Sequence, residues 1–514
     1  MFQNTKVIKY VIIFLVACLL VFPSCTAESP YPEDMWTQNI YPGVDSTYDF
    51  GSPALYWNNA YIRNLNVDSI IGVAVPTTLV VAAVNSLDPD RADYQCDGMA
   101  DDIEIQQALD ALPAMGGRVV LLEGAYACAA NILIPANATL QGQGYLSTML
   151  GFDGAAVNQA ITINGDTAQV RDLSIVILAG CGTAGARPNG IYASSRDGVI
   201  LDSLFISGDK TVGNDGSLLR QNGIYFNDTA QSLITDCVVI EFIECGINLR
   251  NFSDENMLVD NICLNNDDIG IWLFDDSDHC LIEGNFAMGS NDGITLFGSD
   301  YARIIGNHCE GNLAAGIDLQ SGSNNNIISG NQCSSNDKYG IWVAWASDRN
   351  VITGNQCFDN GDYGIYDYRS SYCTITGNIC NDNDIDGIRI EGDTGNADYN
   401  TIAGNICYNN ADDGLELVGD VDCNYNVVDG NQLIANVGTN YVDGGNQTEY
   451  WGGSTNADIE LRPELDEATI RALGTPTRVN VGVYKGYSLP IGGANEELFF
   501  TICVPDRWDG ESDI

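Results

Sequence analysis

The sequence predicts an all-β chain folded as a right-handed parallel β-helix, about 23–24 residues per coil, with an N-terminal capping helix. Three observations carry that reading. Gly-Ile pairs begin at Gly246, Gly270, Gly293, Gly316, Gly340, Gly364 and Gly387, with Gly-Leu at Gly414, at intervals of 24, 23, 23, 24, 24, 23 and 27 residues. An asparagine column, Asn261, Asn285, Asn307, Asn331, Asn355, Asn378, Asn405 and Asn431, runs at the same period. After each Gly, apolar and outward-type residues alternate, as in Gly316-Ile317-Asp318-Leu319-Gln320, and no coil holds the long apolar period of a helix.

The columns separate inside from outside. Like side chains of successive coils meet across the ~4.8 Å strand spacing. Ile247, Ile271, Ile294, Ile317, Ile341, Ile365 and Ile388 are expected to form an inner stack, as are Leu249, Leu273, Leu296, Leu319, Val343 and Ile390 two places on. The Asn column fits a buried amide ladder at a turn. Asp367 breaks its aliphatic column, which implies a local bulge or a buried acid of raised pKa. Cys263, Cys309, Cys333, Cys357, Cys380 and Cys407 each follow a ladder Asn by two, with Ala287 and Leu433 completing the set. A place that accepts Cys, Ala or Leu is a packing site. Side chains one coil apart point the same way, which suits free thiols and not disulfides.

Composition bounds the partners. Lys+Arg number 21 against Asp+Glu 69, a formal net charge of -48. No nucleic acid is expected, because that binding rests on cations neutralising phosphates. A salt-rich habitat is the plain alternative explanation of so much acid. Residues 1–27 read as an export signal: Lys6 and Lys9, an apolar run Tyr10–Phe22, then Pro23-Ser24-Cys25-Thr26-Ala27. The run is too short to span a bilayer. The protein is expected to be secreted or at the cell surface, and Phe22-Pro23-Ser24-Cys25 resembles a lipoprotein box that would place a lipid on Cys25. Residues 28–87 are a lead-in, in which Asp49 to Tyr61 resembles a short motif of phage tail fibres. The β-helix is assigned to 88–453. Residues 454–514 break the period and read as a β-rich module, a short helix from Asp466 to Gly474 followed by strands Arg478–Tyr484 and Glu497–Val504, as of a further domain cut short.

Asp93-Tyr94-Gln95-Cys96-Asp97-Gly98 leads into Asp101-Asp102-Ile103-Glu104-Ile105-Gln106-Gln107-Ala108-Leu109. Asp101 with Glu104 reads as a capping box, and Ile105, Ala108, Leu109 and Leu112 share one helical face. Pro113 and Gly116-Gly117 end that helix, and Arg118–Tyr126 is the first long strand. An amphipathic helix here would cover the open end of a solenoid. With Ile134-Pro135 and Thr139-Leu140-Gln141-Gly142-Gln143-Gly144, the stretch resembles the start of pectate-lyase-superfamily proteins, specifically the rhamnogalacturonase/epimerase-like pectate lyase domain. The Gly-Ile/Gly-Asn coils resemble the parallel β-helix repeats of that superfamily. The resemblance implies the fold and an action on polysaccharide; it does not choose the reaction. Between Gly190 and Gly223 some ten extra residues near Gly208–Arg220 are expected to protrude as a loop, either a site wall or a neutral excursion.

Side chains two and four places after each Gly should face outward together. They bring Trp272, Phe274, Phe297, Trp342, Tyr366 and Tyr368 around Asp318, with Arg389, Glu391 and Glu416 at one end. One reading is a groove for an extracellular polysaccharide, one sugar per coil, with rings stacked on the aromatics. The alternatives are the strand preference of aromatic residues and a face covered by a partner subunit, as in a homotrimeric stalk or tail-spike-like structural protein. Glu391 and Glu416 stand on adjacent coils at a spacing compatible with an inverting hydrolase; Arg389 beside them would orient a sugar carboxylate or simply neutralise both. The frame of Asp318 resembles the mannuronan epimerase motif Tyr-Gly-Phe-Asp-Pro-His but lacks its Tyr, Pro and His, which argues against epimerase chemistry. The Gly-His-Gly and Asn-Thr-Asp frames of polygalacturonases are absent as well. The candidate chemistry is thus polysaccharide lyase or glycoside hydrolase, or none. No metal ligand set is assigned. The acidic turn Asp275-Asp276-Ser277-Asp278-His279 is either a Ca²⁺ site or a solvated turn, and His308 reads as a turn residue.

Overall fold

The computed structural model describes residues 77–461, apart from 155–156, 179–180, 182–187, 211–220, 394, 420–421, 446–447, 452–453 and 456–458, and strands between 477 and 502. The export signal, Cys25, the Asp49–Tyr61 motif, most of the loop expected near Gly208–Arg220 and the helix expected from Asp466 lie outside the described residues.

Each coil contributes three short strands to three parallel sheets. One coil shows the plan: Ile269–Phe274 lies in sheet 1, Leu281–Glu283 in sheet 2 and Phe286–Met288 in sheet 3. Every strand pairs in parallel with its equivalents one coil before and after, giving described sheets of 14, 16 and 14 strands. The chain is a right-handed β-helix, the hand that parallel crossovers favour.

The expected inner columns are in place. Ile247, Ile271, Ile294, Ile317, Ile341, Ile365 and Ile388 are fully buried, as are Leu249 to Ile390 beside them. Burying one such side chain contributes about 1.5–3 kcal/mol. The cysteine column lines the lumen of sheet 3 in direct register, Cys309 on Cys333 and Cys333 on Cys357. All described cysteines are free, and only Cys181 is less than buried. Burial pushes the Cys333 and Cys380 thiols well above their ordinary range.

The amide ladder is complete at each rung. Asn331 Oδ1 accepts from Asn307 N at 2.8 Å and Nδ2 at 3.0 Å, while its own Nδ2 donates to Ile304 O and Asn355 Oδ1, both at 2.9 Å. Both donors and both acceptor positions are thereby used. A second ladder, Asn312, Asn336, Asn360, Asn383, Asn410 and Asn436, occupies the next turn.

The structure changes three details. A strand at Thr77–Ala82 pairs in parallel with Gly117–Leu121, so the solenoid begins inside the segment read as lead-in. The strand expected over Arg118–Tyr126 is two, Gly117–Leu121 and Gly124–Cys128, in different sheets. Gly124 turns the corner at φ +139, where an added Cβ would meet Asn85 Oδ1 at 2.6 Å. The capping box does not form. Helix Asp102–Asp110 packs Ile105, Ala108 and Leu109 against the first coils, with Leu112 half-buried at the core edge. Asp101, however, makes no cap; its carboxylate accepts from Gly98 N and Ala127 N, both at 2.8 Å, and ties the helix start to a strand.

At the other end coil strands continue through Glu449–Trp451, Ser454–Thr455 and Ile459–Leu461, past residue 453. The segment expected as one strand over Arg478–Tyr484 ends at Val481 and restarts at Tyr484. With Glu497–Ile502 the two strands make a three-stranded antiparallel sheet.

Candidate functional site

The outward column of sheet 1 is in continuous register: Asn248, Trp272, Thr295, Asp318, Trp342, Tyr366, Arg389 and Glu416 pair coil to coil. The rings and acids expected on one face are therefore on one face, outside the lumen. They are not an open wall, however. Trp272, Thr295 and Asp318 are 8%, 4% and 1% exposed. Alternation tells inside from outside; it does not tell how deep an outward residue lies.

Two ring clusters flank the centre. On one side Trp272 meets Phe274 edge-on at 4.8 Å, Phe274 stacks on Phe297 at 5.1 Å, and the Arg250 guanidinium lies 4.1 Å from the Phe274 centroid. On the other, Tyr339 lies 5.3 Å from both Trp342 and Tyr366 and stacks on Tyr363 at 5.9 Å. Tyr368 extends this cluster, 5.7 Å from Tyr366. Ring pairs at such distances are favourable beyond their burial.

Asp318 lies between the clusters. Gln320 Nε2 donates to its Oδ2, and Oδ1 has no partner. Burial, with the charge of nearby Asp292 adding, holds its carboxyl well above the usual range against the opposing Gln320 bond. Four more polar atoms of the same column are buried without partners: Asn248 Oδ1, Trp272 Nε1, Thr295 Oγ1 and Trp342 Nε1.

Arg389, Glu391 and Glu416 come together as expected, and the neutralising reading of Arg389 is the one the geometry supports. Its Nε bonds Glu391 Oε2 at 2.8 Å and its Nη1 bonds Glu416 Oε2. A third acid, Asp386, stands 3.4 Å from Nη1. Tyr366 Oη donates to Glu391 Oε2 at 3.0 Å, and the guanidinium lies 5.3 Å from the Tyr363 centroid. Burial first, then the Glu416 charge, raises Asp386 to about 7, against the opposing Asp413 amide bond and Arg389 charge.

Tyr339, Tyr363, Asp386 and Asp413 belong to a column that the sequence reading passed over, the residue immediately before each Gly. Its signal was available, since the same period repeats there as Cys245, Ile269, Asp292, Ala315, Tyr339, Tyr363, Asp386 and Asp413. This column supplies the second wall beside the outward strand residues.

Residues 273–401 match the family described as right handed beta helix region, and residues 157–332 match the periplasmic copper-binding protein (NosD) family. No protein of curated function matches the sequence. Among solved structures, the A-modules of the Azotobacter vinelandii mannuronan C-5 epimerases AlgE6 and AlgE4 superpose on 70% of this chain and 97% of their own. The TM-score is 0.51 for each, at 16% and 18% identity. The catalytic unit of a thermostable α-1,3-glucanase from Streptomyces thermodiastaticus covers 69% of this chain and 66% of its own, with TM-score 0.48 and 13% identity. The chain shares the right-handed β-helix fold with these proteins. At such identity the likeness is one of fold.

The remaining candidates of this β-helix fall elsewhere. Asp367 is a buried acid and not a bulge: its strand keeps register with Val343 before and Ile390 after. His279 stacks on Tyr301 at 5.0 Å in the turn after a sheet 1 strand. In that turn Asp278 N donates to Asp254 Oδ1 at 2.9 Å, and Asp278 Oδ1 accepts from Asp300 N at 2.7 Å. His308 is not a turn residue; it lies in a sheet 3 strand, 3.0 Å from Glu310 Oε2.

Proposed function

We propose that this protein is exported and binds an extracellular polysaccharide along sheet 1, with Asp318 as the proton donor that cleaves it. The single observation that carries the reading is the column Asn248, Trp272, Thr295, Asp318 and Trp342, one unpaired buried polar atom on each of five consecutive coils. Each such atom costs roughly 1–3 kcal/mol if nothing ever meets it. A sugar chain offers one set of hydroxyls about every 5 Å, the step of the coils, and the flanking rings offer faces for its apolar sides. The mannuronan epimerases that share the fold act on a polysaccharide by their names. Export rests on the leader at residues 1–27 and on the periplasmic description of one matched family.

A carboxyl held protonated can donate to the leaving glycosidic oxygen as its bond to the anomeric carbon breaks; water then adds to that carbon and returns a proton to the Asp318 carboxylate, so the step is a hydrolysis. Activity would then persist above the ordinary carboxylate range and fall as pH rises through the Asp318 pKa. Glu391 and Glu416, both on Arg389, serve to fix the groove end and Tyr366 instead of forming the hydrolytic pair. The copper in the other family description belongs to that family; here the thiol column is buried in the lumen, His279 stacks in a turn, and His308 sits in a sheet 3 strand. No step is routed through it.

The test is affinity electrophoresis of the full chain through gels carrying single polysaccharides, with reducing ends and ultraviolet-absorbing unsaturated products assayed in parallel. Trp342→Ala should weaken retention at least tenfold. Asp318→Asn should keep retention and lose the release of reducing ends. A chain retained by no polysaccharide would be left as a rigid spacer.

A further inference from the structure

The charge pattern of the groove says which class of polysaccharide fits. A polyuronate carries one carboxylate per sugar, hence about one per coil at ~4.8 Å per step, and a site for it needs cations at that spacing. Four consecutive coils in the middle of sheet 1 supply none. Their outward positions are Trp272, Thr295, Asp318 and Trp342 in one column and Phe274, Phe297, Gln320 and Ala344 in the other. The wall column adds Ile269, Asp292, Ala315 and Tyr339. The titratable groups among these positions are Asp292 and Asp318, both buried acids, and Tyr339, and none of them supplies a positive charge.

The nearest cations lie at the edges of this stretch. Arg250 lies over Phe274 and Trp272 at one end, at 4.1 and 5.6 Å from their centroids. Arg389, three coils and roughly 14 Å from Asp318, is held by Glu391, Glu416 and Asp386. Lys338 is exposed at the rim, between the acids Asp292 and Asp362, whose carboxyls it stabilises.

We infer that the groove takes an uncharged polysaccharide and rejects polyuronates. The inference rests on the polysaccharide reading above and narrows it to glycans that offer hydroxyls and ring faces without charge. Two sources of discrimination are separable. The net charge of -48 repels any polyanion at long range and is screened by salt, whereas the lack of a cation to pair with each uronate carboxylate acts at contact and is not supplied by salt.

Dissociation constants of the full chain for neutral glucans, galactans and mannans and for polygalacturonate and alginate, in low and in high salt, test this. The best neutral polysaccharide should bind at least tenfold tighter than any polyuronate, and the gap should persist in high salt. Gln320→Lys, which adds a cation beside Asp318, should strengthen polyuronate binding several-fold. A polyuronate that binds as tightly as the neutral glycans, or a gap that disappears in high salt, would overturn the inference and leave the polysaccharide reading standing. Binding of neither class would overturn both.

Discussion

Asp367 shows what a single residue costs in a stacked lumen. It lies between Val343 and Ile390 in a column of aliphatic side chains, fully buried, and neither carboxyl oxygen has a hydrogen-bond partner. Burial raises its pKa well above the usual range and the charge of Asp348 adds to this, while the Ser370 backbone and the Cys373 thiol oppose it. The sign of the linkage follows. Below about pH 4 the acid is protonated in folded and unfolded chain alike. Above that, the unfolded chain releases the proton and the folded one keeps it, so stability declines with rising pH until the folded carboxyl ionises as well. Asp367→Val restores the column at similar size. It should stabilise the protein by about 1–3 kcal/mol at neutral pH and flatten the pH dependence, both measured by urea unfolding across pH 4 to 9. A variant less stable than the parent would mean that the carboxyl has a partner in the lumen after all.

At the scale of the element, the coil is set by its glycine. Gly316 needs no unusual φ; it needs room, since a Cβ there would lie 2.7 Å from Gly340 O, 2.9 Å from Asn336 Nδ2 and 3.0 Å from Cys333 Cβ. All three belong to backbone, ladder or lumen, and none is a flexible side-chain end. Gly316→Ala should therefore cost about 1–3 kcal/mol. Gly330 is the contrast: at φ +65 with nothing within 4 Å of its Cβ, it should accept Asn almost without loss, because Asn tolerates the left-handed region. Thermal melts of the two variants check both. The same contrast explains how far the chain could be read. Columns repeating at one period declared themselves, so Gly316, Ile317, Asn331 and Cys333 were each placed correctly from spacing alone. The role of Asp101 was not legible, because its amide partner on Ala127 is 26 residues away and the local pattern imitates a cap. The wall residues Tyr339 and Tyr363 stand immediately before Gly340 and Gly364, so a pattern that starts at each Gly and runs forward does not contain them. The depth of Asp318, 1% exposed, was not legible because alternation along one strand separates inward from outward and carries no measure of depth.

For the whole molecule the consequence is a stability distributed along one axis, each coil supported by the next. The amide ladder gives that support a direction. Between Asn261 and Asn431 each rung bonds its neighbours on both sides, whereas Asn431 takes from Asn405 and gives Nδ2 to Ile402 O. Coils in the middle therefore have twice the ladder contacts of the coil beyond Asn405. Cys333 and Cys357 lie in the middle and Cys423 near that edge, and all three are buried in the native fold, out of reach of a reagent until their coil opens. Alkylation in urea below the unfolding midpoint, read by mass spectrometry at each cysteine, should label Cys423 first, then Cys407, and Cys333 and Cys357 last. Simultaneous labelling of all four would instead mean that the tube opens as one cooperative unit, with the ladder transmitting failure as efficiently as it transmits support.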